Sequence, residues 1–172
     1  MKNSIALHCR SGLAAIVGLA LLAGCVSQPT TARSGRAFLS PEQAAAYFDM
    51  LCFKPGGSAD GLVKAAKRDP NLVIDDSKLK DGIVNVTHKT LDLSAGSVFA
   101  SSCYVSFQPA NNAGQDGADA AMALLPRINS KAVARMPGGG GVIFPTAKGE
   151  VAITNTAKYD GRAGLMIALY SK

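Results

Sequence analysis

The spacing of apolar residues alternates between two periods along this chain, and that change constrains its fold more than any other feature. Between residues 41 and 68 the apolar residues recur every three or four positions, which is typical of amphipathic helices. From Val84 to Phe107 they alternate, which is typical of half-buried strands. A second helical stretch is followed by alternation over 150–156 and 164–170. The sequence therefore predicts helices, a hairpin, a helix and a hairpin, in that order.

The ends of the predicted helices are marked by capping residues and prolines. Ser40-Pro41-Glu42-Gln43 combines an N-cap serine, a proline at the first helical position and a glutamine at the third, so we expect a capping box. A short helix over 59–68 is expected to end before Asp69-Pro70. We expect the later helix to be capped by Asp116 and to end at Pro126.

The predicted strands are interrupted by a slip in the alternation and by turns. The alternation slips by one residue near Thr90, which indicates either a bulge or two short strands. A turn is expected at Ala95-Gly96, followed by a partner strand over 98–107, and residues 159–162 are expected to form the last hairpin turn. We predict a single α+β domain over 38–172, a two-layer sandwich in which an antiparallel sheet of four to six strands carries two to three helices on one face.

The first residues of the chain have the pattern of a secretion signal. Lys2 and Arg10 supply positive charge, no acidic residue precedes Glu42, and an apolar run extends from Leu13 to Ala23. The run has eleven residues, which as a helix would cross only about half of a roughly 30 Å hydrocarbon core. A signal peptide over 1–24 is therefore favoured over a transmembrane anchor.

The apolar run ends in Leu22-Ala23-Gly24-Cys25, which resembles the lipobox of bacterial lipoproteins. The resemblance implies cleavage before Cys25 and attachment of acyl chains, palmitate among them, to that residue. In that family, aspartate after the lipidated cysteine directs the protein to the inner membrane. This chain has Val26 there, which implies the periplasm-facing side of an outer membrane. The alternative is ordinary secretion with Cys25 as a plain cysteine. Two or three acyl chains would make the anchor effectively permanent.

Residues 25–37 are polar and rich in turn-forming residues, so we expect a flexible tether between the anchor and the domain. Arg33 and Arg36 lie in this segment, as solvated linker charges or as contacts for anionic headgroups. Removal of residues 1–24 takes away Lys2 and Arg10, so the net charge falls from +6 to +4. The mature chain is thus only mildly basic.

Cleavage and lipidation would leave two cysteines, Cys52 and Cys103, in the folded part. Beyond the inner membrane the environment is oxidising, so an even pair of cysteines predicts a disulfide; two buried free thiols are the alternative. The helical spacing places Cys52 on a core face, and the strand alternation does the same for Cys103.

Catalytic patterns in the sequence are incomplete. Ser77 and Lys80 fit the Ser-x-x-Lys pattern of penicillin-recognising enzymes, but the Ser-Asp-Asn and Lys-Thr-Gly motifs are absent from the chain. His88 is the one histidine after the signal, and its phase predicts a half-buried strand residue rather than a base. The run Gly138 to Gly141 lacks the lysine and hydroxyl residue of a phosphate loop, which favours a flexible loop.

The sequence thus favours a lipid-anchored envelope lipoprotein with a non-catalytic binding or structural role. We expect no cofactor and no metal, and its partners would be the membrane, reached through the acyl chains on Cys25, and an envelope protein or peptidoglycan. Nucleic acid is excluded as a partner because the basic residues are dispersed and not interleaved with aromatic residues. The alternative function is a periplasmic lipid-tethered hydrolase or hydrolase inhibitor, based on Ser77, Lys80 and the glycine run.

Overall fold

The computed structural model describes residues 35–98, 102–130, 133–136, 140–159 and 162–171, with side chains described except over 157–163. Within this part of the chain the fold is α+β, with three α-helices and one antiparallel sheet of eight strands that does not close. The helices are α1 Pro41–Phe48, α2 Ala59–Ala66 and α3 Ala113–Ile128. The strands are β1 Leu72–Asp75, β2 Val84–His88, β3 Leu93–Ser97, β4 Ser102–Phe107, β5 Ala134–Arg135, β6 Gly141–Thr146, β7 Gly149–Tyr159 and β8 Arg162–Ser171.

The sheet has the strand order β1-β2-β3-β4-β8-β7-β6-β5. Strands β1 to β4 form a meander, and the C-terminal strand β8 pairs with both β4 and β7 at the centre of the sheet. Helix α3 connects β4 to the strands of the other half. Helix α2 packs against β1, β2 and β3, α1 against β4 and β8, and α3 against β7 and β8.

Helix α1 begins as the sequence predicts. The Ser40 hydroxyl accepts from the Gln43 backbone N–H at 3.2 Å, and the Gln43 side chain accepts from the Ser40 N–H at 3.0 Å, so the capping box is complete. The helix then continues as a π-helical segment, Asp49–Phe53, which the sequence did not predict. Three residues of this segment, Leu51, Cys52 and Phe53, are buried and hold it against the core.

The predicted disulfide between Cys52 and Cys103 is confirmed in the structure. Both residues are fully buried, and their Cα atoms are 5.4 Å apart. Because Cys52 lies in the π-helical segment and Cys103 in β4, the bond fixes the helices to a central strand of the sheet. Neighbouring core residues on β4, β7 and β8 follow the predicted alternation; the fully buried ones include Val105, Val151, Ile167 and Leu169.

The α+β class is confirmed, but the predicted number of strands is wrong. The structure has eight strands rather than four to six, because β1 and β5 have only four and two residues, and β6 begins at the glycine run, contains a proline and shows little alternation. The slip near Thr90 is the turn between two short strands, β2 and β3. The turn predicted at Ala95-Gly96 is wrong, since both residues lie inside β3. A Cβ on Gly96 would meet the Tyr104 hydroxyl at 2.8 Å. The glycine is therefore needed for close packing against Tyr104 and does not form a turn.

The predicted ends of α3 also need correction. Its N-cap is Asn112, whose side chain accepts from the Gln115 N–H at 2.8 Å. Asp116 is instead buried within the helix. The helix continues past Pro126 because Pro126 is exposed, while Leu124 and Ile128 on either side are buried in the core. A proline there removes one backbone donor, and the packing of the last turn outweighs that loss.

Candidate functional site

The clearest concave site is a groove beside the first half of α3, with a volume of about 320 Å³. One wall is α3, which presents only alanines and glycines to it, and the other is the end of β6 and β7. Its floor is formed by Val142, Ile153 and Leu165. Pairing of Val142 with Ile153 places both side chains on the face of the sheet that α3 contacts. The groove therefore exists because α3 covers β7 and β8 but not β6.

Glycine allows the two backbones of the β6–β7 wall to approach closely. A Cβ on Gly141 would lie 2.0 Å from the carbonyl oxygen of Ile153, a distance at which the backbone must move. Gly141 starts β6, and the Asn155 N–H donates to the Gly140 carbonyl at 3.3 Å. The predicted flexible loop is thus partly strand: Gly140 and Gly141 belong to the groove wall, whereas Gly138 and Gly139 lie outside the described residues.

The polar groups of the groove are few and do not form an acid–base pair. Arg135 is its one charged lining residue among those described, and Thr154 and Asn155 complete the polar set. No Asp, Glu, His, Cys or Ser is found among the described lining residues. The groove can bind an apolar group, with Arg135 available to an anion or a hydrogen-bond acceptor, but these residues supply no nucleophile activated by a base.

His88 has a structural role at the β2–β3 turn. Its Nδ1 accepts hydrogen bonds from the backbone N–H groups of Thr90, at 3.1 Å, and Leu91, at 3.0 Å, so the neutral tautomer carries its proton on Nε2. Its ring packs edge-on against Tyr47 with the centroids 5.8 Å apart. Burial lowers the pKa of His88 below its usual value, against the opposing influence of Asp69. The predicted strand histidine is therefore buried, and its acceptor nitrogen is occupied.

Ser77 and Lys80 lie in the exposed connection between β1 and β2. The Ser77 hydroxyl donates to Asp75 Oδ1 at 2.7 Å, and the Ser77 N–H donates to the same oxygen. These two hydrogen bonds lower the pKa of Asp75. Ser77 lies beyond one end of β2 and His88 forms the other end, and the strand between them is about 13 Å long. The structure does not bring the serine and the histidine together.

A buried carboxylate that the sequence reasoning missed lies in the π-helical segment. Asp49 Oδ2 is 2.9 Å from Lys54 Nζ, while Asp49 Oδ1 is buried and has no hydrogen-bond partner. Nearby, Lys148 Nζ donates to the carbonyl oxygens of Phe53, at 2.7 Å, and Lys54, at 3.1 Å. The π-helical segment brings Asp49 and Lys54, five residues apart, to the same side of the helix. No residue pattern in the sequence indicates a π-helix, so the sequence did not predict this buried carboxylate.

The remaining predicted site residue, Cys25, lies with the signal peptide and most of the tether outside the described residues. Within the described part of the chain, no helix is long and apolar enough to span a bilayer. The same residues contain no group of three or more His, Cys, Asp or Glu side chains that could hold a metal ion. No protein-family model, curated protein or solved structure matches the chain.

Proposed function

We propose that the chain is an outer-membrane lipoprotein that faces the periplasm, is anchored by acyl chains on Cys25 and has a non-catalytic binding role. The Leu22 to Cys25 motif after a short apolar run carries this proposal. The Cys52–Cys103 disulfide supports it, because such bonds persist in oxidising compartments and are rare in the cytosol of most organisms.

The hydrogen bonds of the candidate catalytic side chains support a binding role rather than catalysis. His88 Nδ1 accepts two backbone hydrogen bonds, and the Ser77 hydroxyl is hydrogen-bonded to Asp75. The largely apolar groove beside α3 offers Arg135 but no acid–base pair among its described residues. We assign partner recognition to this groove, with another envelope protein as the partner and peptidoglycan as the competing one.

Anchoring is tested by fractionating cells that express the wild-type chain or Cys25→Ser. We expect the wild type in the membrane fraction, resistant to high salt and alkaline washing, because acyl chains rather than charges hold it. Cys25→Ser should lose acylation and cleavage before residue 25. A matched control, Ser27→Ala, changes a neighbouring polar residue and should behave as the wild type. Equal acylation of all three chains would contradict the proposal.

The binding role is tested by crosslinking in cells, followed by capture of the lipidated protein. Ala118→Leu places a larger side chain into the groove, whereas Met122→Leu alters an exposed residue one turn away on the same helix. We expect a reproducible envelope protein with the wild type and Met122→Leu, and its loss with Ala118→Leu. Recovery of peptidoglycan fragments would identify the competing partner. Identical capture by all three chains would contradict the assignment of the groove.

A further inference from the structure

A second groove lies between the π-helical segment and α2, with a volume of about 500 Å³. Met50 and Pro55 form one side of it, and Gly61 on α2 forms part of the other. A Cβ on Gly61 would lie 2.7 Å from the Cβ of Pro55, so α2 approaches the turn after the π-helical segment as closely as a glycine permits. The walls are thus fixed by direct packing.

The charged side chains of this groove are all basic. Lys54, Lys64 and Arg68 line it, and no carboxylate does so among the described residues. Lys64, on α2, and Arg68, two residues after α2 ends, are both exposed and form no ion pair within the described chain. Lys54 is held in place by Asp49, at 2.9 Å. Asp49 compensates the charge of Lys54, so Lys64 and Arg68 supply the net positive charge of the groove. Two such cations beside a partly apolar groove suit a phosphate with an apolar substituent.

The groove also lies toward the end of the domain where the tether enters. Arg68 follows α2, and the chain turns there into β1, where the Lys89 N–H donates to the Asn71 carbonyl at 2.9 Å. The adjacent residue Thr90 accepts from the Ala37 N–H at 2.9 Å, at the point where the tether joins the fold. Cys25 precedes Ala37 by twelve positions, and the tether predicted from the sequence would span about 20 Å as a random coil. The anchor would hold Arg68 near the bilayer surface.

We propose that the groove lined by Lys54, Lys64 and Arg68 binds phosphate groups of anionic lipids in the bilayer that holds the anchor. This inference rests on the proposed lipid attachment at Cys25. Headgroup binding gives the protein a second contact with the membrane and lays the α2 side of the domain on its surface. The groove beside α3 is at the opposite edge of the sheet, next to β6, and stays open to a partner.

The test uses the mature chain, residues 25–172 with Cys25→Ser, so that binding does not depend on acyl chains; circular dichroism and a thiol assay check its fold and disulfide. Flotation with vesicles of phosphatidylcholine, with or without phosphatidylglycerol, measures partitioning. Lys64→Gln/Arg68→Gln removes two groove charges. Lys78→Gln/Lys80→Gln removes two exposed charges from the β1–β2 connection, which starts at the far end of β1, about 10 Å along the strand from Leu72. That length is about one Debye length.

We expect binding that requires phosphatidylglycerol and weakens about 30-fold in the groove variant, from the loss of two cations near an anionic surface. The control variant should bind as the parent chain does. Equal weakening of both variants would show an effect of net charge alone and overturn the proposal. Absence of vesicle binding would also overturn it, as would a groove that binds inorganic phosphate but not vesicles. Acylation of Cys25, measured separately in the wild type, decides the proposed function independently.

Discussion

Removal of the disulfide tests how the helices are held to the sheet. The bond closes a loop with a sequence separation of 51 residues, and constraint of the unfolded chain by such a loop stabilises the fold by about 4 kcal/mol. That is a large share of a typical free energy of unfolding of about 5–15 kcal/mol. Cys52→Ala/Cys103→Ala is preferred to serine because both sites are fully buried and a hydroxyl there would need a hydrogen-bond partner.

Urea unfolding of three samples separates the crosslink from packing. Wild type refolded under reducing conditions keeps both sulfur atoms, so its loss relative to the oxidised wild type reports the crosslink alone. We expect a loss of about 4 kcal/mol, a shift of about 2 M in the urea midpoint for a slope of about 2 kcal/mol per M. The double alanine variant should lose somewhat more, through lost packing, and should not respond to reductant. A loss below about 1 kcal/mol in the reduced wild type would show that the crosslink contributes little to stability.

Three further predictions concern local features of the fold. Gly141→Ala should destabilise by about 2 kcal/mol or more, because its Cβ would meet the Ile153 carbonyl, whereas Gly140→Ala has open space and should be nearly neutral in the same urea assay. Because burial depresses the pKa of His88, protons bind preferentially to the unfolded chain, and stability should fall as pH drops below the unfolded pKa of about 6.5. His88→Asn keeps a side-chain acceptor for the turn and should flatten that part of the profile of unfolding free energy against pH; an unchanged slope would contradict the assignment. Ser40→Ala should cost about 1 kcal/mol by thermal unfolding through loss of the capping box, and no change in the melting temperature would refute that role.

The sequence predicted those parts of the fold in which local chemistry and burial agree. The capping box at Ser40 and the strands predicted over 150–156 and 164–170 are local signals, and the structure confirms both. The disulfide between Cys52 and Cys103 was predicted from two observations: the signal peptide indicates an oxidising compartment, and the helical and strand periods place each cysteine on a core face.

The features that were missed depend on tertiary contacts. Strands β1 and β5 have four and two residues, too few to show a period. Gly96 was assigned to a turn on its residue type, although its small size accommodates Tyr104 on the neighbouring strand. The groove beside α3 arises where that helix packs beside strands that come later in the chain, and the second groove arises where Gly61 packs against Pro55. Their positions therefore could not be read from local sequence patterns.

Intact-mass analysis of the protein extracted from the membrane fraction tests lipid anchoring most directly. We predict a chain that begins at Cys25, lacks residues 1–24, and is heavier than the polypeptide by a diacylglyceryl group, with or without a further acyl chain. The mass should shift only for fragments that contain Cys25. An uncut chain, or a cleaved chain in which Cys25 is an unmodified thiol, would show that the protein is not lipid-anchored at this residue.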